Sequence, residues 1–349
     1  MPRLNLGLPY NHCSYQECPA GLLGSNLLRC GACHTVKYCG QQHQKADRPR
    51  HKMQCIPIKQ QKEKLAEEEE KLRDNPGEDT DGNPFDTTVG LFWFFQSTRP
   101  YMKARFDYIT AILNVRTGEA VEIALNHSLD LLRLNRGDNQ GVRSQIPALY
   151  LRLGRDQEAY DFIKWYAVKG DSKYDWRDVS LPFLDLHDED AFEAVNEEPH
   201  YNVSFQMALT LLKIRLMKDL ESLQGFLQKN PNASGEARYD YLVEEAMSDI
   251  LLKRPDIVAR DDYRDLIAEL RRQVIQLYKK VKQQNQHIWP GIENPNLYAY
   301  DVPTMYSLGS REEAVLIFRQ SWYSWSETEP AISFIRGVIR DDKRGALAA

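Results

Sequence analysis

The sequence predicts a mainly α-helical protein that carries a small, metal-stapled segment near its amino-terminal end. Three observations point there. All six cysteines of the 349 residues fall within the first 55 positions. Beyond Phe85, apolar residues recur every three or four positions almost throughout, the spacing of one helix face. Between these regions "NPGEDTDGNPFD" (Asn75–Asp86) gathers Pro, Gly, Asn and Asp, which end helices and start turns. The expected organisation is therefore a cysteine-rich segment over 1–57, a charged helix and linker over 58–86, and an all-α domain of helical hairpins over 87–349.

Composition sets the class. A fraction of 42% apolar and 27% charged residues describes an ordinary globular chain. Apolar runs such as "GLFWFF" are far shorter than the roughly 18 residues of a membrane span, so no membrane partner is expected. The opening "MPRLNLGLPYNHC" has no apolar core of signal-peptide length, which points to the cytoplasm or nucleus. In a reducing compartment, clustered cysteines are metal ligands before they are disulfides. Residues 1–60 hold eight Lys/Arg against two Asp/Glu, +6, so with a total of −5 the remainder carries −11. The bases Arg29, Lys37, Lys45, Arg48, Arg50 and Lys52 allow a nucleic-acid partner as a lesser expectation, since most basic faces are simply solvated.

Eight candidate ligands stand in order: Cys13, Cys18, Cys30, Cys33, Cys39, His43, His51 and Cys55. Zn²⁺ takes four tetrahedral S or N donors, and a set of four closes a structural site with no position left for substrate water. Cys30-x-x-Cys33 is a knuckle whose turn aims both sulfurs at one ion. Cys39 and His43 are four apart, as are His51 and Cys55, which suits donors on one helical face. Two complete zinc sites follow. His12 and His34 adjoin ligands, but neither is needed to complete a tetrahedron.

This string resembles the MYND zinc finger over residues 13–55, through the Cys30-x-x-Cys33 knuckle, the Tyr38–Cys39 pair, the "HQKAD" run, and His51-Lys52 followed by Cys55. In that family the ligand pairs interleave. Carried over, the resemblance implies one site of Cys13, Cys18, Cys39 and His43, and a second of Cys30, Cys33, His51 and Cys55. So small a segment cannot bury enough apolar area to fold unaided, and metal would supply about 10–16 kcal/mol per site, as in zinc-finger peptides. Three departures matter. His43 stands where the family usually has cysteine, the first pair is more widely spaced than is common, and Arg48 replaces a tryptophan in a region that grips proline-containing peptides in relatives. MYND fingers accompany a SET lysine-methyltransferase domain in one group. Here "NHS" at Asn126 lies in a strongly helical stretch, and no cysteine follows Cys55, so methyltransfer is not expected.

From Lys59 to Asp74 the sequence favours helix but offers few apolar anchors, chiefly Leu65 and Leu72, so an exposed helix or spacer is expected. Asp79, Asp81 and Asn83 echo part of a calcium loop without its closing glutamate, and read as a turn. Thr117–Gly118 separates two helices. Asp138 can cap a helix ending near Leu153, Gly154 makes the turn, and Asp156 begins the next helix. Leu153, Gly154, Glu158 and Ala159 recur in kind as Leu308, Gly309, Glu313 and Ala314. That spacing resembles the second half of a tetratricopeptide (TPR) repeat, which implies stacked helix pairs, although no regular 34-residue period joins the copies. Long helices are expected over about 203–227 and 261–286, with solvated faces over an apolar stripe, and a shorter one over 236–253.

The functional expectation is a zinc-binding protein–protein interaction or adaptor protein with a protein or peptide partner. No catalytic constellation assembles: there is no GxSxG, no phosphate-cradling glycine loop and no HExxH. The alternative is an enzyme centred on Asp185–Glu193 with His187, Asp188 and Asp190. That cluster reads more simply as a solvated acidic turn within a long acidic, aromatic loop, Tyr174–Tyr201, which packs across helix ends through Trp176, Leu181, Phe183 and Phe192.

Overall fold

A computed structural model of the chain describes residues 12–18, 27–170, 174–195, 202–298 and 302–347. The opening segment before His12 and the last part of the acidic loop, 196–201, lie outside the described residues. Two strands, β1 (Leu28–Arg29) and β2 (Lys37–Tyr38), pair antiparallel with Leu28 opposite Tyr38. Every other regular element described is helical: α1 (Gln41–Asp74), α2 (Pro84–Thr87), α3 (Arg99–Ile112), α4 (Gly118–Leu134), α5 (Ile146–Arg152), α6 (Asp156–Val168) and α7 (Val203–Lys229). Then come α8 (Gly235–Glu245), α9 (Pro255–Val258), α10 (Arg264–Gln284), α11 (Ile288–Glu293), α12 (Arg311–Ser326) and α13 (Glu329–Lys343), with short 3₁₀ turns between some of them.

Contacts divide the chain into two compact units. One takes the described parts of Leu8–Leu149 with Asp175–Phe183, and the other those of Tyr150–Tyr174 with Leu184–Ala349. Packing thus groups the cysteine-rich segment with α1 to α4, whereas the boundaries at 57 and 86 follow composition.

In the first unit α1 is a single 34-residue helix that begins inside the cysteine-rich segment. It contains Pro49 and Pro57, each lacking the N–H that would bond the carbonyl four residues back. Both prolines lie on the exposed face, where water can satisfy the freed carbonyls of Lys45 and Met53, so the helix runs on. Its second half was expected to be exposed, yet Ile58, Leu65 and Leu72 are buried and α1 lies along α3. Gln54 Nε2 donates to the Asn114 carbonyl at 2.9 Å, and the Arg73 guanidinium sits 4.2 Å over the Phe85 ring. The Asp79 turn is held by its carboxylate accepting the Gln96 N–H at 2.6 Å. Thr117 caps α4 by accepting the Ala120 N–H, and Asp138 accepts the N–H groups of Val142 and Arg143.

In the second unit α7 is the axis, with α6, α8, α10, α12 and α13 against it. Solvated faces were expected there, but Val203–Met217 is buried on every side, including Lys213 and Arg215. These cations have partners. Lys213 Nζ donates to the Ala191 and Glu193 carbonyls at 2.6 and 3.1 Å. Arg215 donates to the Leu151 and Met247 carbonyls and lies 3.2 Å from the buried Asp156 carboxylate. α10 keeps the expected stripe, burying Leu270, Val274, Leu277 and Val281.

The two Leu-Gly-x-x-x-Glu-Ala segments are not equivalent. Gly154, at φ 69°, ends α5 and lets α6 turn back, with Tyr150 and Phe162 in ring contact at 6.4 Å. Gly309, at φ 77°, instead precedes a helix, and residues 302–308 before it are not helical. Its signature is an N-terminal cap: Ser310 Oγ accepts the Glu313 N–H, and Glu313 reaches back to the Gly309 N–H at 2.7 Å and to Asn285 Nδ2 at 2.9 Å.

Candidate metal centre

The eight sequence-predicted donors converge in two groups of four, within each of which all ligand atoms lie within 4.8 Å of one another. Cys13, Cys18, Cys39 and His43 form the first. The knuckle of residues 13–18 supplies two thiols, the end of β2 supplies Cys39, and the first turn of α1 supplies His43. Cys30, Cys33, His51 and Cys55 form the second, from the loop after β1 and the middle of α1. The two ligand pairs from each source alternate between the groups, so the interleaving implied by the resemblance is the arrangement observed.

Distances test the fit. A tetrahedron with Zn–S bonds of about 2.3 Å has edges of about 3.8 Å, slightly less between sulfur and nitrogen. Cys18 and Cys39 Sγ are 3.8 Å apart, as are Cys30 and Cys55 Sγ. Cys13 Sγ lies 3.6 Å from His43 Nδ1, and Cys33 Sγ 3.3 Å from His51 Nε2. Each group is three thiols and one imidazole, the donor chemistry of a closed structural zinc site. Two zinc ions fit. His12 and His34 belong to neither group.

The groups differ in depth. All four residues of the second are buried, whereas Cys39 is exposed and His43 half-buried in the first. Burial pushes the Cys33 thiol up to about 12 against a hydrogen bond from Thr35, and it lowers the His51 pKa, keeping that ring neutral and ready to coordinate. Zinc must therefore displace protons from thiols on binding.

Several supporting residues escaped the sequence reading. Asp47 is buried between the groups, accepts the Tyr38 hydroxyl at 2.8 Å and pairs with Arg50 Nε at 2.7 Å. Arg50 also donates to the Ser14 carbonyl at 2.9 Å, tying the first knuckle to α1. The Thr117 hydroxyl donates to the Thr35 carbonyl, and Lys37 pairs with Glu119 at 2.7 Å, which fixes the finger to the start of α4. One signal was available: His43, Asp47, His51 and Cys55 recur every fourth residue, placing the aspartate on the ligand face of one helix.

Of the six bases considered for nucleic acid, Lys37 and Arg50 are thus committed to acidic partners, while Arg29, Lys45, Arg48 and Lys52 are exposed. In the acidic cluster, Asp185 pairs with Lys169 and accepts the Trp165 indole N–H at 2.9 Å. Glu189 and Glu193 both pair with Lys164, and Asp190 pairs with Arg254 at 2.9 Å. The Asp188 and Glu189 N–H groups bond the Asp161 carboxylate, and His187 is exposed. The cluster is a strap pinned to α6 and its C-terminal end by Lys164, Lys169 and the Asp161 carboxylate, and to Arg254 ahead of α9. Of the loop's aromatic anchors, Phe183 lies under Arg136, Trp176 under Arg143 and Phe192 under Arg254, all half-buried; the Leu181 carbonyl accepts from Arg136 at 2.9 Å. No helix among the described residues is long and apolar enough to cross a membrane.

No curated protein and no solved structure matches the chain. Residues 13–55 match the family model of the MYND finger. With the alternating donor groups, the match identifies this segment as a MYND zinc finger with two zinc sites, followed by a helical region.

Proposed function

We propose that the protein is a non-enzymatic interaction or adaptor protein in which two structural zinc ions hold the finger and the chain's surfaces receive a protein or peptide partner. The observation that carries this reading is the donor count: eight donors complete two tetrahedra and leave neither ion an open position for a substrate. MYND fingers generally serve protein–protein contacts. The pairing of the acidic cluster with Lys164, Lys169 and Arg254 supports a structural role for the only acid-rich loop weighed as an active site. In the helical region the α5–α6 hairpin is the feature that supports a TPR-like stack. Six free thiols gathered at metal sites suit a reducing compartment, the cytoplasm or the nucleus.

Affinity purification of the full chain, beside a Cys30→Ala/Cys33→Ala variant, tests the proposal. Reproducible protein partners of the full chain are expected; their loss in the variant assigns the contact to the finger and their retention assigns it to the helices. Absence of any specific partner, or turnover of a metabolite abolished by Asp188→Asn/Asp190→Asn, overturns it.

A further inference from the structure

The solvent face of α1 carries two adjoining ridges that supply no zinc donor, although the Arg48 guanidinium also lies against the Cys55 thiol. Helical geometry of 3.6 residues per turn sets Lys45, Arg48, Lys52 and Lys59 in one row, and Pro49, Met53 and Ile56 in the row beside it. All seven are exposed, Met53 at 78% and Ile56 at 39%. The opposite face holds the buried Asp47, His51, Cys55 and Ile58. Methionine and isoleucine turned to water on a helix whose other side is fully committed form a compact apolar seam. The bases beside it are Lys59, in a loose pair with Glu63 at 3.5 Å, and Lys45, Arg48 and Lys52, for which no carboxylate lies within ion-pair distance among the described residues.

We propose that this face docks an acidic amphipathic helix of a partner protein, an inference that rests on the interaction reading above and names the partner's chemistry. Apolar side chains of that helix at i, i+3 or i+4, and i+7 would pack on Pro49, Met53 and Ile56, while a row of Asp or Glu beside them meets the four bases. The charge pattern along α1 decides among occupants. The same row continues with Glu63, Glu67, Glu70 and Asp74, all exposed, so a second copy laid antiparallel would match charges. Its Glu63, Ala66, Glu67 and Glu70 would then cover the Met53–Ile56 seam, leaving the apolar ridge against mostly charged groups. An acidic helix with its own apolar row satisfies both ridges. A nucleic acid or anionic membrane would be repelled by the acidic half of the same row.

The test is fluorescence anisotropy of a labelled synthetic helix bearing one Leu row and one Glu row, titrated with the zinc-loaded full chain. Salt-sensitive binding is expected, weakened about tenfold or more by Met53→Asp and by Lys45→Glu/Lys52→Glu, the latter variant binding instead a peptide with Lys in place of Glu. Zinc content and the helical circular dichroism of both variants serve as the folding control. Three results would overturn the docking site: no peptide binding, binding indifferent to both variants, or stronger capture of phosphatidylserine vesicles or duplex RNA than of peptide. A dimer in sedimentation that the same variants dissociate would hand the face to a second copy. Partners retained by the full chain but unaffected by either variant would refute this site while leaving the interaction reading standing.

Discussion

Removal of zinc should melt α1 as far as Pro57 and no further. Between Gln41 and Pro57 the buried residues are Asp47, His51 and Cys55, none of which is an apolar anchor. This half also holds both prolines, which cost it two ladder bonds. Its stability therefore rests on the metal, at about 10–16 kcal/mol per site. Beyond Pro57 the balance changes: Ile58, Leu65 and Leu72 are 0, 7 and 4% exposed along α3. Burial of three such side chains contributes about 1.5–3 kcal/mol each, about 5–9 kcal/mol together and independent of zinc. Hydrogen–deuterium exchange before and after chelation, with elemental analysis to confirm metal loss, reads the boundary directly. Amides of 41–60 should become fast, those of 58–60 because the carbonyls they bond lie in the melted turns, while those of 61–74 and 99–134 stay protected. Fast exchange over 61–74 in step with 41–57, or protected amides over 41–57 in zinc-free protein, would refute the reasoning.

Three further outcomes concern the second unit. Arg152 and Glu327 form a bidentate pair, each 2% exposed, with both bonds at 2.9 Å; Arg152→Met takes both of these bonds from a buried carboxylate and should cost about 3–5 kcal/mol in urea unfolding. Burial raises Asp219 to about 7, against N–H bonds from Met247 and Ser248 and the charge of Arg215. The folded carboxyl thus keeps its proton where an unfolded aspartate, at about 4, has lost it, so stability is full below that lower value and falls as pH rises toward 7, by up to about 1.4 kcal/mol per pH unit. Asp219→Asn should flatten that slope in melts taken across the range. At Gly291 of α11 an added Cβ would lie 2.5 Å from the Tyr298 ring and 3.0 Å from Phe318, so Gly291→Ala should destabilise by about 1–3 kcal/mol and lower the melting temperature.

The zinc ligands were legible because metal geometry demands donors at short fixed spacings, and spacing is what a sequence displays directly. The four-residue spacing of His51 and Cys55 also pointed to one helical face, but the continuity of α1 from Gln41 to Asp74 was not legible. Pro49 and Pro57 read locally as breakers, and only the solvent on their side of the rod explains why the helix passes through them. In α7 the letters Lys213 and Arg215 look like a solvated face. Their partners, the carbonyls of Ala191, Leu151 and Met247, are remote in sequence, and no local pattern announces them. Gly309 shows the same limit: a glycine before Ser-x-x-Glu can end one helix or cap the next, and the residues from 302 to 308 had to be seen as non-helical to decide.

The placement of the donors couples metal to surface. His43, His51 and Cys55 project from one side of the same turns that carry Lys45, Arg48, Lys52, Met53 and Ile56 on the other. A ridge of side chains exists only while its helix does, and these turns have no apolar anchor of their own. Chelation should therefore abolish binding of the acidic peptide, even though neither zinc site touches it, and restored zinc should return it. If peptide binding survived in protein shown to be metal-free, the ridge would have to be ordered by something other than the finger. The division of α1 into a zinc-held half and a core-held half would then be wrong.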